Sequence, residues 1–217
     1  KATGRPLAKI AARCMTGRSL KDQGAVAEII PPYYSVKEAV FPFRKFPGVD
    51  PLLGPEMKST GEVMGVADSF GEAFLKAQYA ASVKLPWRGN ACLSVRDHEH
   101  PDVARIARDL HELGFKLFAT KGTAASIGAA GVPVTRVNKV AEGRPHIVDM
   151  IKNQEIQLIV NVVEDKRAVM DSASIRTAAL AQNVPYFTTL AGAEAACMGM
   201  KDRREISIRD LQGLHKQ

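Results

Sequence analysis

From residue 91 onward, short apolar runs recur at regular spacing: ACLSV at 91–95, FKLFA at 115–119, VPVTRV at 132–137, IQLIVNVV at 156–163 and VPYFT at 184–188. Between and after them lie stretches with helical periodicity, at 101–113, 122–130, 143–153, 171–183 and 191–200. In 102–113 the apolar residues fall at Val103, Ile106, Ala107, Leu110 and Leu113, leaving Arg105, Arg108, Asp109 and Glu112 outward. That spacing predicts an amphipathic helix. Gly114 and Gly131 stand just past two of these helices, where a left-handed backbone ends a helix at low cost. Strands alternating with helices predict βαβ units, right-handed crossovers and a parallel sheet. IQLIVNVV is nearly continuous in apolar residues, as expected of a central strand covered on both faces. Residues 84–217 therefore read as a five-stranded doubly wound α/β domain.

The first 83 residues read differently. Residues 5–17 predict a helix, with Pro6 near its first turn and Gly17 at its end. A stretch rich in Pro and Gly follows, with strand-like segments near 33–41 and 57–65. DSFGEAFLKAQYAAS (68–82) predicts a second helix with Asp68 as its N-cap. Two helices and a few short strands offer little core for this apolar content. Residues 1–83 are thus expected to be an α+β remnant, the tail of a larger domain.

Composition narrows the function classes. With 46% hydrophobic and 24% charged residues the chain looks like an ordinary soluble globular protein. No apolar run approaches the roughly 18–20 residues of a membrane helix, and no secretory signal opens the chain. No membrane partner is expected. Cys14, Cys92 and Cys197 are scattered and form no CxxC, which fits reduced thiols in a cytoplasmic protein. His98 and His100 have no further Cys or His nearby to complete a zinc set, so no metal is expected within these residues. The net charge of +7 is spread evenly: 11 basic and 8 acidic residues over 1–83, 19 and 15 over 84–217. No basic block or basic–aromatic interleaving appears, which argues against nucleic acid and for small-anion pockets.

The chemistry clusters at strand ends. Thr120-Lys121-Gly122-Thr123 follows a strand and opens a helix, so its hydroxyls and amides are able to ring a phosphate. The alternative is a Thr N-cap on a tight turn, since the spacing matches neither a Walker loop nor GxGxxG. Ser94, Asn138-Lys139 and Asn161 also stand at carboxyl ends of strands, where doubly wound sheets bind ligands. Glu142-Gly-Arg-Pro-His146 sets a carboxylate, an arginine and a histidine at a helix start; structural hydrogen bonding by His146 is preferred over acid/base work. The hydroxyls of Tyr186-Phe-Thr-Thr189 serve either a ligand or a helix cap.

Taken together, IPPYYSVKEAVFPFRKFPGVDPLLGPEMKSTGEVMG (30–65), FATKGTA (118–124) and VNKVAEGRPHI (137–147) resemble the C-terminal portion of the carbamoyl phosphate synthetase large subunit. The first segment looks like the end of that family's second ATP-grasp domain. The other two resemble its allosteric domain, whose fold is shared with methylglyoxal synthase. The resemblance implies a regulatory C-terminal piece of a cytoplasmic ligase for arginine and pyrimidine biosynthesis. That ligase joins bicarbonate, glutamine-derived ammonia and ATP into carbamoyl phosphate, using Mg2+ (or Mn2+) and K+, with a glutaminase small subunit in a hetero-oligomer. The piece alone is expected to hold no catalytic residue and no cofactor, and to be inactive.

The resemblance also implies two effector sites. Ser94, His100, Thr120, Lys121, Thr123, Lys139 and Asn161 would hold a nucleotide monophosphate, UMP or IMP. Glu38, Tyr186 and Thr188 would hold ornithine. Two departures from the family pattern bear on the first site: His100 replaces a lysine, and Val162-Val163 replace two threonines after Asn161. The rival is a methylglyoxal-synthase-like lyase acting on a triose phosphate. It needs an aspartate in a Gly-rich loop after the third strand, where this chain reads Asn138-Lys-Val-Ala-Glu-Gly143. Asp149 falls instead on the following helix.

Overall fold

The structure is a computed structural model describing residues 1–43, 51, 61–96, 99–163, 169–170, 172–203 and 206–215. The expected strand start at 57–60, His98, the His100 side chain and Asp171 lie outside the described residues.

All five expected strands form: β3 (Gly89–Ser94), β4 (Phe115–Ala119), β5 (Thr135–Arg136), β6 (Leu158–Asn161) and β7 (Tyr186–Phe187). They make one sheet in the order β5-β4-β3-β6-β7, and every pairing is parallel. The order reverses between β3 and β6, so the switch point of this doubly wound sheet falls where their carboxyl ends diverge. The side-chain alternation of a strand sorts the core into two layers. Ala91, Leu93, Leu117, Leu158 and Val160 pack on one face with α3 (His100–Glu112), α4 (Lys121–Ala129) and α7 (Leu190–Lys201). Cys92 and Ile159 pack on the other with α5 (Ile147–Lys152) and α6 (Ala173–Gln182). Gly114 and Gly131 do adopt left-handed φ values of 90° and 77°.

Three elements depart from the sequence reading. The run 132–137 pairs only at Thr135–Arg136, because Pro133 has no amide to give to a ladder. The stretch 143–153 becomes helical only from Ile147, after a short 3-10 turn at Val140–Glu142. The second helix, α2 (Phe70–Ala80), is capped by Ser69 rather than Asp68: the Ser69 hydroxyl accepts the Glu72 amide at 3.2 Å. Asp68 instead pairs with Arg209.

Before the sheet, α1 (Leu7–Met15) has no buried residue, and Leu7 and Met15 are exposed. β1 (Tyr34–Val40) and β2 (Gly61–Ala67) form an antiparallel pair with Glu38 opposite Val63. Helix α2 covers this pair and also packs on α7, so Phe74 and Leu75 share a core with Leu93 and Val160. The outward residues of α3 reach α7 as well: Arg105 pairs with Glu194, and Lys201 donates to Asp109 at 2.7 Å. A last short helix, α8 (Leu211–Leu214), ends the described chain.

Candidate functional site

Two cavities contain seven of the expected site residues; Lys121 and Thr123 line neither. The first, about 130 Å³, opens at the switch point. Ser94 at the end of β3, Thr120 after β4, Lys139 after β5 and Asn161 at the end of β6 all line it. Parallel strands deliver these four together because each chain segment leaves the sheet on the same edge.

Their surroundings differ. Thr120 is buried, and its hydroxyl lies 3.2 Å from Ser94 Oγ and 3.4 Å from Thr123 Oγ1. Thr120 occupies the N-cap position of α4, yet its side chain makes no capping bond. The first turn of α4 thus presents amides beside a cluster of hydroxyls, an arrangement suited to an anion. Thr123 stands behind Thr120, fully buried, and accepts the Val95 amide at 3.1 Å. Lys121 projects into solvent at the start of α4, and Lys139 is exposed at the cavity mouth. Asn161 is buried and its Nδ2 donates to the Tyr186 hydroxyl at 2.6 Å.

The remaining wall is apolar and escaped the sequence reading. Ile147, Ile159, Ile175 and Val163 line it, and Cys92 adds a thiol whose pKa burial pushes up to about 12. That wall is neutral, next to a polar rim of Ser94, Thr120, Lys139 and Asn161. Alternation within β3 and β6 was the signal that pointed Cys92 and Ile159 this way.

The second cavity, about 830 Å³, lies between β1 and α2 on one side and α6 and β7 on the other. Glu38, Tyr186 and Thr188 all line it. Burial raises the Glu38 carboxyl above its ordinary 4.5, a shift partly offset by Gln78, whose Nε2 donates to Glu38 Oε2 at 2.9 Å. Gln78 was not singled out in the sequence; neither was Arg176, a buried arginine on α6 that also faces this cavity. Its signal is the face Arg176, Ala179, Leu180, Asn183, spaced as one side of a helix.

His146 is structural, as preferred. It caps α5, with Nδ1 accepting the Asp149 amide at 3.3 Å while the Asp149 carboxylate accepts the His146 amide at 3.1 Å. Asp149 also pairs with Arg144 at 3.1 Å, so it is consumed in this cap. Thr189 likewise caps α7, accepting the Gly192 amide at 3.0 Å. Among the described residues no group of three or more His, Cys, Asp or Glu is placed to hold a metal ion, and no helix is long and apolar enough to cross a membrane.

Residues 102–188 match the MGS-like domain family, and four of the five strands of the parallel sheet, β4 to β7, lie within them. Beyond this domain, the chain is similar along 99% of its length to carbamoyl phosphate synthase large chains. It is 59% identical over 216 residues to that of Ralstonia nicotianae and 60% identical over 215 residues to that of Pseudomonas putida. It spans 20% of the length of each of these relatives. A solved methylglyoxal synthase from Elizabethkingia anophelis has a TM-score of 0.44 and 23% identity, covering 61% of this chain and 93% of its own.

Proposed function

We propose that the chain is the regulatory C-terminal region of a carbamoyl phosphate synthase large chain, with residues 1–83 ending an ATP-grasp domain and residues 84–217 sensing effectors. The observation that carries this reading is the meeting of Ser94, Thr120, Lys139 and Asn161 in one cavity at the switch point. A nucleoside monophosphate suits it. The hydroxyl cluster and the uncapped amides of α4 take the phosphate, Lys139 neutralises it, and the apolar wall of Ile147, Ile159 and Ile175 takes the base.

The second cavity takes an amine of the ornithine type. Its ammonium meets Glu38, and Tyr186 and Thr188 contribute from the opposite side. His100 and Lys121 are further proposed contacts of the nucleotide in this reading.

The chemistry takes place outside these residues. The full polypeptide joins bicarbonate, glutamine-derived ammonia and two ATP into carbamoyl phosphate in the cytoplasm, for arginine and pyrimidine biosynthesis. ATP, Mg2+ or Mn2+ and K+ are held upstream, and a glutaminase small subunit supplies the ammonia. The 217 residues alone bind effectors and turn over nothing. Calorimetric titration of the chain with UMP and with IMP tests the reading: saturable binding of at least one is expected, and no heat with either at millimolar ligand would overturn it.

A further inference from the structure

The two cavities share a wall. Helix α6 forms part of it, with Ile175 turned to the first cavity and Arg176, Ala179 and Leu180 to the second. The strand ends form the rest. β6 and β7 are adjacent and parallel, with Ile159 opposite Tyr186, so Asn161 lies two residues further along β6 on the same face. The Tyr186 ring leans along the sheet to bring its hydroxyl to Asn161 Nδ2 at 2.6 Å. Asn161 lines the first cavity and Tyr186 the second.

Among the described residues, this is the side-chain hydrogen bond that Asn161 makes. An amide can accept two bonds and donate two, so the rest of its capacity is available to whatever fills the first cavity. Asn161 is 2% exposed, so outside the cavity its amide has few other partners to turn to. A ligand that engages it must either fit the orientation that Tyr186 imposes or turn the amide and move the phenol. The same constraint runs in reverse for a ligand that contacts Tyr186.

We propose that Asn161 and Tyr186 form a bridge that couples the two cavities, with Tyr186 acting as a positioning residue for the nucleotide through Asn161. This rests on the assignment of a nucleotide to the first cavity and an amine to the second. Coupling of this kind is reciprocal: each ligand changes the other's affinity by the same factor.

The test is a titration of UMP into the full-length polypeptide that carries these residues, with and without saturating L-ornithine. The wild type is expected to show a change in UMP affinity of about fivefold or more between the two conditions. Tyr186→Phe, which keeps the ring and removes the hydroxyl, is expected to bind both ligands with the ratio reduced to less than about twofold. A Tyr186→Phe protein with the wild-type ratio overturns the bridge, as does a wild type whose two ligands bind independently. Failure of either ligand to bind at all overturns the site assignment, and the bridge falls with it.

A second readout needs neither ornithine nor a stable variant complex. The chain holds four tyrosines, so ring-labelled tyrosine gives four resonances, and that of Tyr186 is identified by its loss in Tyr186→Phe. UMP alone, bound to the wild-type chain, is expected to shift it. A saturating titration that leaves it unmoved contradicts the proposal, whatever the affinity ratios show.

Discussion

Gln78, buried on α2, donates to the Glu38 carboxylate at 2.9 Å from across the β1–α2 junction. The contact fixes one oxygen of a carboxyl that burial holds above its ordinary 4.5. The protonated form is thereby favoured in the fold, so the contribution of Glu38 to stability grows as pH falls through its raised pKa. Binding of an amine runs the other way, because the cation needs the carboxylate. Ornithine affinity is expected to fall on acidification in the range just above pH 4.5. Glu38→Gln is expected to bind about tenfold more weakly and to lose that dependence, as removing a charged partner costs 1.5–3 kcal/mol. Calorimetry as a function of pH checks both.

Thr123 gives a separate prediction. Its buried hydroxyl accepts the Val95 amide at 3.1 Å and lies 3.4 Å from Thr120 Oγ1. Thr123→Ala leaves a partly buried amide without its acceptor. A loss of about 1–3 kcal/mol in stability is expected, together with more than about 1 kcal/mol in nucleotide affinity. Thr123→Ser, which restores the oxygen, is expected to recover most of both in chemical denaturation and in titration with UMP.

Gly65 marks where β2 meets α2. A Cβ built on it lies 2.0 Å from the Ala73 carbonyl oxygen and 2.6 Å from the Ala77 amide, so the helix must lift for any side chain to fit. Gly65→Ala is expected to cost at least about 3 kcal/mol, the upper end for overpacking. Gly61, with nothing within 4 Å of its Cβ position, supplies the control: Gly61→Ala is expected to be nearly neutral in the same thermal melts.

Arg203 holds the segment that leads into the sheet. Its buried guanidinium donates to the carbonyls of Leu85 and, at 2.9 Å, of Pro86, and stacks 3.6 Å over the ring of Trp87. A lysine has neither the fork nor the plane for these contacts. Arg203→Lys is expected to destabilise the chain by about 1–3 kcal/mol. Trp87 is the only tryptophan, so its emission is expected to shift with the loss of the stacked cation.

Much of this was legible in the sequence, for identifiable reasons. The central strands showed through because β6 and the middle of β3 are buried on both faces, which leaves a dense apolar signal, whereas both residues of the edge strand β5 are exposed. Val103, Ile106, Ala107 and Leu110 are all buried in α3, as their spacing required. Ser94, Thr120, Lys139 and Asn161 could be placed together because parallel strands end on one edge. The Ser69 cap was hidden by Asp68, an equally good capping residue one position earlier. Gln78 was hidden because a polar residue inside a helix carries no mark of what it faces, and Arg176 because the helical side it shares with Ala179, Leu180 and Asn183 does not say what that side lines. Thr189 and His146 lie at helix starts in the sequence too, but only geometry distinguishes capping from ligand binding.

The most direct test of an effector-binding role is titration of the purified chain with UMP, in parallel with its Lys139→Ala and Thr120→Val variants. Saturable binding to the wild type, weakened about tenfold or more in each variant by the loss of a charged or hydroxyl contact, is the expected result. No binding of UMP or IMP at millimolar concentration, or binding unchanged in both variants, contradicts the assignment of this cavity.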